Sequence, residues 1–116
     1  MTLRVIVTGG RSYSDRARVY SVLDFVNRNA GISLLNHGGA CGADALAHEW
    51  AASRGVSECV HHADWKHYGP SAGPKRNQDM VDHGADLAIA FPGGKGTHDC
   101  LMRCLRAGID LVRVPQ

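Results

Sequence analysis

Three times in this chain a short run rich in β-branched and other apolar residues ends in a pair of glycines: "VIVTGG" (5–10), "LLNHGG" (34–39) and "LAIAFPGG" (87–94). Each reads as a buried strand entering a tight turn, and each is followed by a helical pattern. After the first, "SDRARVYSVLDFVNRNAG" (14–31) offers Ser14 as the expected N-cap. Its apolar residues Val19, Val22, Leu23 and Val26 have helical spacing, and Gly31 is the stop. Helices from about Asp44 to Arg54 and from about Thr97 to Ala107 follow the other two runs, closed by Gly55 and Gly108. "VSECVHHA" (56–63) and "IDLVRVP" (109–115) read as further strands, with "DWKHYGPSAGPKRN" (64–77) as a long loop. Short strands alternating with helices predict a Rossmann-like α/β three-layer sandwich around an open, mostly parallel five-stranded sheet. Residues 1–116 are expected to form one domain.

The positions of the fourteen glycines test this pattern. Gly31, Gly55, Gly84 and Gly108 each close a helical segment just before a strand. Gly9, Gly10, Gly38, Gly39, Gly42, Gly93, Gly94 and Gly96 cluster after three strands. In a parallel sheet those three loops lie on one edge, the carboxyl edge, where such folds bind ligands. Glycine there lets backbone N–H groups approach an anion, and each loop leads to the positive end of a helix. The expected ligand-binding set is therefore these eight glycines with Pro92, Arg11 as a phosphate ligand, Lys95 for charge and Thr97 for its hydroxyl. Asp44 is either an N-cap or a partner for a ribose hydroxyl. The two common phosphate templates are absent: there is no Gly-x-x-x-x-Gly-Lys-Ser/Thr, and "GKGTHD" (94–99) lacks the third glycine of Gly-x-Gly-x-x-Gly.

Composition narrows the partners. A net charge of +2 is too small for an extended nucleic-acid footprint, so anion binding must be local. No apolar run reaches the roughly 18 residues of a membrane span, and "MTLRVIVTGG" lacks the features of a signal peptide, so a cytoplasmic location is expected. There the four cysteines are expected to be reduced, structural thiols; no Cys-x-x-Cys pair suggests zinc. His61 and His62 are neighbours on a strand and point to opposite faces. Neither a metal nor a cofactor is expected.

"VIVTGGR", "HGGACGAD", "ADWKHYGPSAGPKRNQDMV" and "AFPGGKGT", in that order, resemble the YAcAr family of the SLOG superfamily over nearly the whole chain. The resemblance implies a Rossmann-like domain that binds a nucleotide or nucleotide-derived ligand, in a family whose members often travel with mobile genetic elements. Pro-Gly-Gly-x-Gly-Thr is also similar to the element of the cytokinin-activating phosphoribohydrolases, and more distantly to that of the DprA proteins. In the phosphoribohydrolases a glutamate three residues after the threonine helps to cleave an N-glycosidic bond, beside an arginine from a preceding helix. Arg76, with Met80 four residues on, matches that arginine, but the glutamate's position is Cys100. Asp99 would replace it only if the helix were rotated by about 100°.

Two readings follow: a binding protein for a nucleotide-derived ligand, and a nucleotide N-glycosidase using Arg76 and Asp99, with His37 and His98 as acid/base candidates. A DprA-like single-strand DNA binder is a weaker third. Asn77 would contact ligand or backbone, and Trp65 and Tyr68 would stack on a base or pack under the loop. A homodimer is expected only from the related phosphoribohydrolases.

Overall fold

A computed structural model describes residues 2–116. Five strands, β1 (Leu3–Thr8), β2 (Ile32–His37), β3 (Glu58–Val60), β4 (Leu87–Ala90) and β5 (Asp110–Arg113), form one all-parallel sheet in the order β3-β2-β1-β4-β5. The helices are α1 (Arg16–Asn29), α2 (Ala43–Arg54), the four-residue α3 (Trp65–Tyr68), α4 (Ala72–His83) and α5 (Lys95–Arg106). This is the expected Rossmann-like α/β architecture.

Side chains of a strand alternate between the two faces of its sheet, and β1 divides the core accordingly. Val5 and Val7 pack with Val19 and Leu23 of α1 and Ala47 and Trp50 of α2, whereas Ile6 meets Met80 and Val81 of α4 and Cys100 and Cys104 of α5. All of these side chains are buried, each large apolar one contributing about 1.5–3 kcal/mol. Trp50 also places its indole N–H 2.9 Å from Asp24 of α1, which satisfies the one polar atom of the largest core residue.

Several boundaries differ from the sequence reading, each for a local reason. Asp15, not Ser14, caps α1: its Oδ1 accepts the amide of Arg18 at 3.0 Å. The edge strand β3 is three residues long rather than eight, because only β2 supplies it with partners. The supposed loop 64–77 is largely helical. Asp64 caps α3 by accepting the His67 amide, a 3-10 turn spans Gly69–Ser71, and α4 starts at Ala72. Pro74 then falls in the first turn of α4, where a missing N–H costs no helical bond. At Gly55 the reading holds in detail: this C-cap of α2 has φ +66, a left-handed conformation suited to glycine.

The chain runs outward from β1 to β3 over one face, returns across the sheet, and continues from β4 to β5 over the other. The loops after β1 and β4 therefore diverge, and a crevice opens between them.

Candidate functional site

A cleft of about 650 Å³ lies on the carboxyl edge at that switch point. The loop after β1 contributes Gly9, Gly10 and Arg11, the loop after β2 contributes Gly38 and Ala40, and α2 contributes Asp44. The α3–α4 segment supplies Trp65, Gly73, Pro74, Arg76, Asn77 and Met80, and the start of α5 supplies Gly94, Lys95, Gly96, Thr97 and Asp99. Sequence reasoning singled out most of this lining from four separated stretches. It missed Val7 and Thr8 at the end of β1, Ala40 in the loop after β2, and Gly73, Pro74 and Met80, the last three because their contribution depends on where α4 begins.

The three glycine loops do different work. At the start of α5 the backbone is open: no side chain caps the helix, and a Cβ on Gly94 or Gly96 would meet nothing within 4 Å. The first N–H groups of a helix have no intrahelical acceptor, so those of Lys95, Gly96 and Thr97 present partial positive charge, and the exposed Lys95 side chain starts from the same turn. An anion fits here.

The loop after β1 is instead a packing joint. The Gly10 amide donates to the Pro92 carbonyl at 2.9 Å, and the Gly10 carbonyl accepts the Ala43 amide at 3.2 Å. A Cβ on Gly9 would collide with Ala43, and one on Gly93 with Thr97 and the Gly10 amide. Gly42, at φ +74, leaves no room between its Cα and the Gly10–Arg11 backbone. Gly42, Gly93 and Pro92 do not line the cleft, and neither does Gly39. These glycines let three loops and two helix ends meet.

The loop after β2 has its amides already engaged. Asp44 Oδ2 accepts from Gly38 N–H at 3.1 Å and from Ala40 N–H at 3.3 Å, and His37 Nδ1 accepts from Gly39 N–H at 3.0 Å. The Gly38, Gly39 and Ala40 amides are therefore not offered to a phosphate. Asp44 is therefore not the N-cap of α2, a place taken by Gly42 with no side-chain bond; from the first turn it ties down the preceding loop, and it borders the cleft. Burial pushes its carboxyl above the usual range, against the pull of the Ala40 amide, His37, Arg76 and the Gly38 amide.

Arg76 lies across the opening of this loop. Its Nη1 donates to the Gly38 carbonyl at 2.7 Å and more weakly to that of His61 at 3.4 Å, and its Nε donates to Asn77 Oδ1 at 3.0 Å. Asn77, almost wholly buried, passes the link to α5 through Nδ2, which donates to Asp99 Oδ2 at 3.0 Å and to the Gly96 carbonyl at 3.3 Å. Asn77 therefore contacts side chains and backbone from both helices. Asp99 is also bound by Arg103 Nε at 2.9 Å. Burial alone would raise the Asp99 carboxyl, but the hydrogen bonds from Arg103 and Asn77 outweigh it and hold the group below its usual range. Cys100 is completely buried within the α4–α5 core, where hydrogen bonding to Cys104 and burial raise its thiol far above the ordinary range.

At the rim, the Trp65 ring stands 5.3 Å from the Arg11 guanidinium and against the Cα of Gly73, half exposed toward the cleft. Tyr68 lies outside the cleft, paired with Lys75. Neither acid/base candidate borders it. His98 faces the opposite flank of α5, and His37 is buried behind the second loop with Nε2 2.9 Å from Glu58.

His37, His48 and Glu58 have ligand atoms within 4.8 Å of one another, the spacing of a metal site. The hydrogen bonds argue against an ion there. Because His37 Nδ1 accepts the Gly39 N–H, the ring proton must sit on Nε2, the atom that an ion would need.

A family model described as "YspA, cpYpsA-related SLOG family" matches residues 3–68. The Gene 61 protein of Mycobacterium phage D29 is 39% identical over 117 residues, covering 94% of this chain and 94% of that protein. Among solved structures, the DNA processing protein A of Streptococcus pneumoniae superposes with a TM-score of 0.78 at 17% identity. That match covers 99% of this chain and 51% of the other, so the chain spans about half the length of that structure.

Proposed function

The chain belongs to the YspA, cpYpsA-related SLOG family, and we propose that it binds a nucleotide or nucleotide-derived ligand in the cleft between the loops after β1 and β4. The observation that carries this reading is the uncapped start of α5, where Lys95, Gly96 and Thr97 offer amides and a charge to an anion inside a cleft large enough for a mononucleotide. Trp65 at the rim offers a flat face to a base, and its Arg11 neighbour offers a second charge.

Binding is favoured over hydrolysis by the state of the two residues that would have to act. Cys100, at the position of the phosphoribohydrolase glutamate, is sealed in the core. Asp99 borders the cleft, but its Oδ2 is taken up by Asn77 and Arg103. Binding of single-stranded DNA is disfavoured by a net charge of only +2.

Calorimetric titration with AMP, ATP, NAD, ADP-ribose and cyclic dinucleotides, followed by assay of each mixture for free base, tests the proposal. Saturable binding without base release is the expected outcome. Base release would establish the hydrolase reading. A panel without binding, together with salt-sensitive affinity for an oligonucleotide, would replace both with DNA binding.

A further inference from the structure

Asp44 is 6% exposed, yet its two carboxylate oxygens are in unlike situations. Oδ2 accepts two backbone amides, whereas Oδ1 has no donor among the described residues. No buried side-chain oxygen or nitrogen among them lacks a partner, so Oδ1 is not fully sealed in the protein, and the residue that carries it borders the cleft. An ionised carboxylate oxygen only accepts hydrogen bonds, and on the floor of a cleft it calls for a donor from the ligand.

Its place in the fold identifies the donor. Asp44 follows β2, and the anion-accepting start of α5 follows β4, with β1 between them. The strands that lead to those points lie two spacings, about 10 Å, apart, a span that a 5′-phosphorylated ribose bridges with one hydrogen bond at each end. A second phosphate at Asp44 would face a carboxylate and the already engaged amides of Gly38, Gly39 and Ala40. A guanine edge, which pairs with both oxygens of a carboxylate, would find Oδ2 already in use.

We infer that Asp44 is the specificity residue of this cleft, accepting a hydroxyl of the ligand's ribose through Oδ1 and so selecting nucleotides whose sugar carries those hydroxyls over dideoxy sugars. The inference rests on the nucleotide-binding reading. It adds a direction to the ligand, phosphate toward α5 and sugar hydroxyls toward α2.

The test compares AMP with 2′,3′-dideoxy-AMP by calorimetry on the unaltered chain. AMP is expected to bind at least about tenfold more tightly, the size of one hydrogen bond to a charged acceptor. Asp44→Asn, whose amide keeps an acceptor for the loop but replaces the charged acceptor facing the sugar with a neutral group, should narrow the AMP preference severalfold. Thermal melting reports whether that variant is folded; if it is not, the ratio on the unaltered chain decides alone. Equal binding of the two nucleotides overturns the inference while leaving the nucleotide-binding reading intact. So does a folded Asp44→Asn chain that keeps the preference undiminished. Failure of both nucleotides to bind overturns the two together.

Discussion

Arg76 of α4 donates from Nη1 to the carbonyl of Gly38 at 2.7 Å, with the guanidinium in the space that a side chain at position 38 would fill. The glycine and the arginine are one fitting. Gly38→Ala should destabilise the fold by about 1–3 kcal/mol, because the guanidinium and its bond to Asn77 must shift. In an Arg76→Ala background most of that penalty should vanish, since the obstructing group is gone. Urea denaturation of the four chains of this double-mutant cycle measures the coupling, and additive effects would show that the two residues are independent.

A carboxylate built at position 96 would occupy the place assigned to a phosphate. The Cβ of Gly96→Asp enters open space, and an acidic residue in the first turn of a helix suits its dipole. The melting temperature should therefore hold or rise slightly, while AMP affinity falls by at least about tenfold through like-charge repulsion. Calorimetry and a thermal melt on the same preparation separate the two effects.

Removal of the Asn77 amide cuts the connection between α4 and α5. Asn77→Ala leaves Arg76 Nε and one hydrogen bond to Asp99 unmade in a poorly solvated place, and should cost about 1–3 kcal/mol in urea denaturation. The Asp99 carboxyl, relieved of one of the bonds that hold it low, should titrate closer to its ordinary value. Carboxyl NMR titration follows that shift directly.

The α1–α2 contact predicts an acid limb of stability. Hydrogen bonds from Arg54 and then Trp50 lower the Asp24 carboxyl from 3.8 to about 2. A carboxyl depressed on folding contributes stability that is fully present above its unfolded value and is lost as pH falls through the folded one. The unaltered chain should thus lose this contribution between about pH 4 and pH 2. Asp24→Asn should be less stable at neutral pH and show a shallower decline across that window, as monitored by denaturation at a series of pH values.

Local patterning was enough to read the order of strands and helices. A β-branched run closed by glycine, a helical repeat of Val19, Val22, Leu23 and Val26, and a left-handed stop at Gly55 are all decided by residues near in sequence. The same patterning placed Gly94, Gly96, Lys95 and Thr97 on the sheet edge that holds the cleft, because every strand-to-helix loop of a parallel sheet falls there. It failed over 64–77, where Gly69, Gly73 and two prolines signal loop; tertiary packing of α4 under the sheet made most of that stretch helical.

What only the tertiary structure decided is the division of labour among the glycines and polar side chains. Gly9, Gly42 and Gly93 are small because residues of other loops and helix starts crowd against them, and a Cβ on Gly94 or Gly96 would enter open space at the cleft, a difference invisible in composition. Asp44 turning one oxygen to its own loop, and Asn77 joining Arg76 to Asp99, likewise depend on elements brought together from separate parts of the chain. Sequence by itself determined the alternation of elements, since propensity and capping act over a few residues. The site's chemistry is settled by contacts between residues far apart in sequence, which exist only after the sheet has assembled.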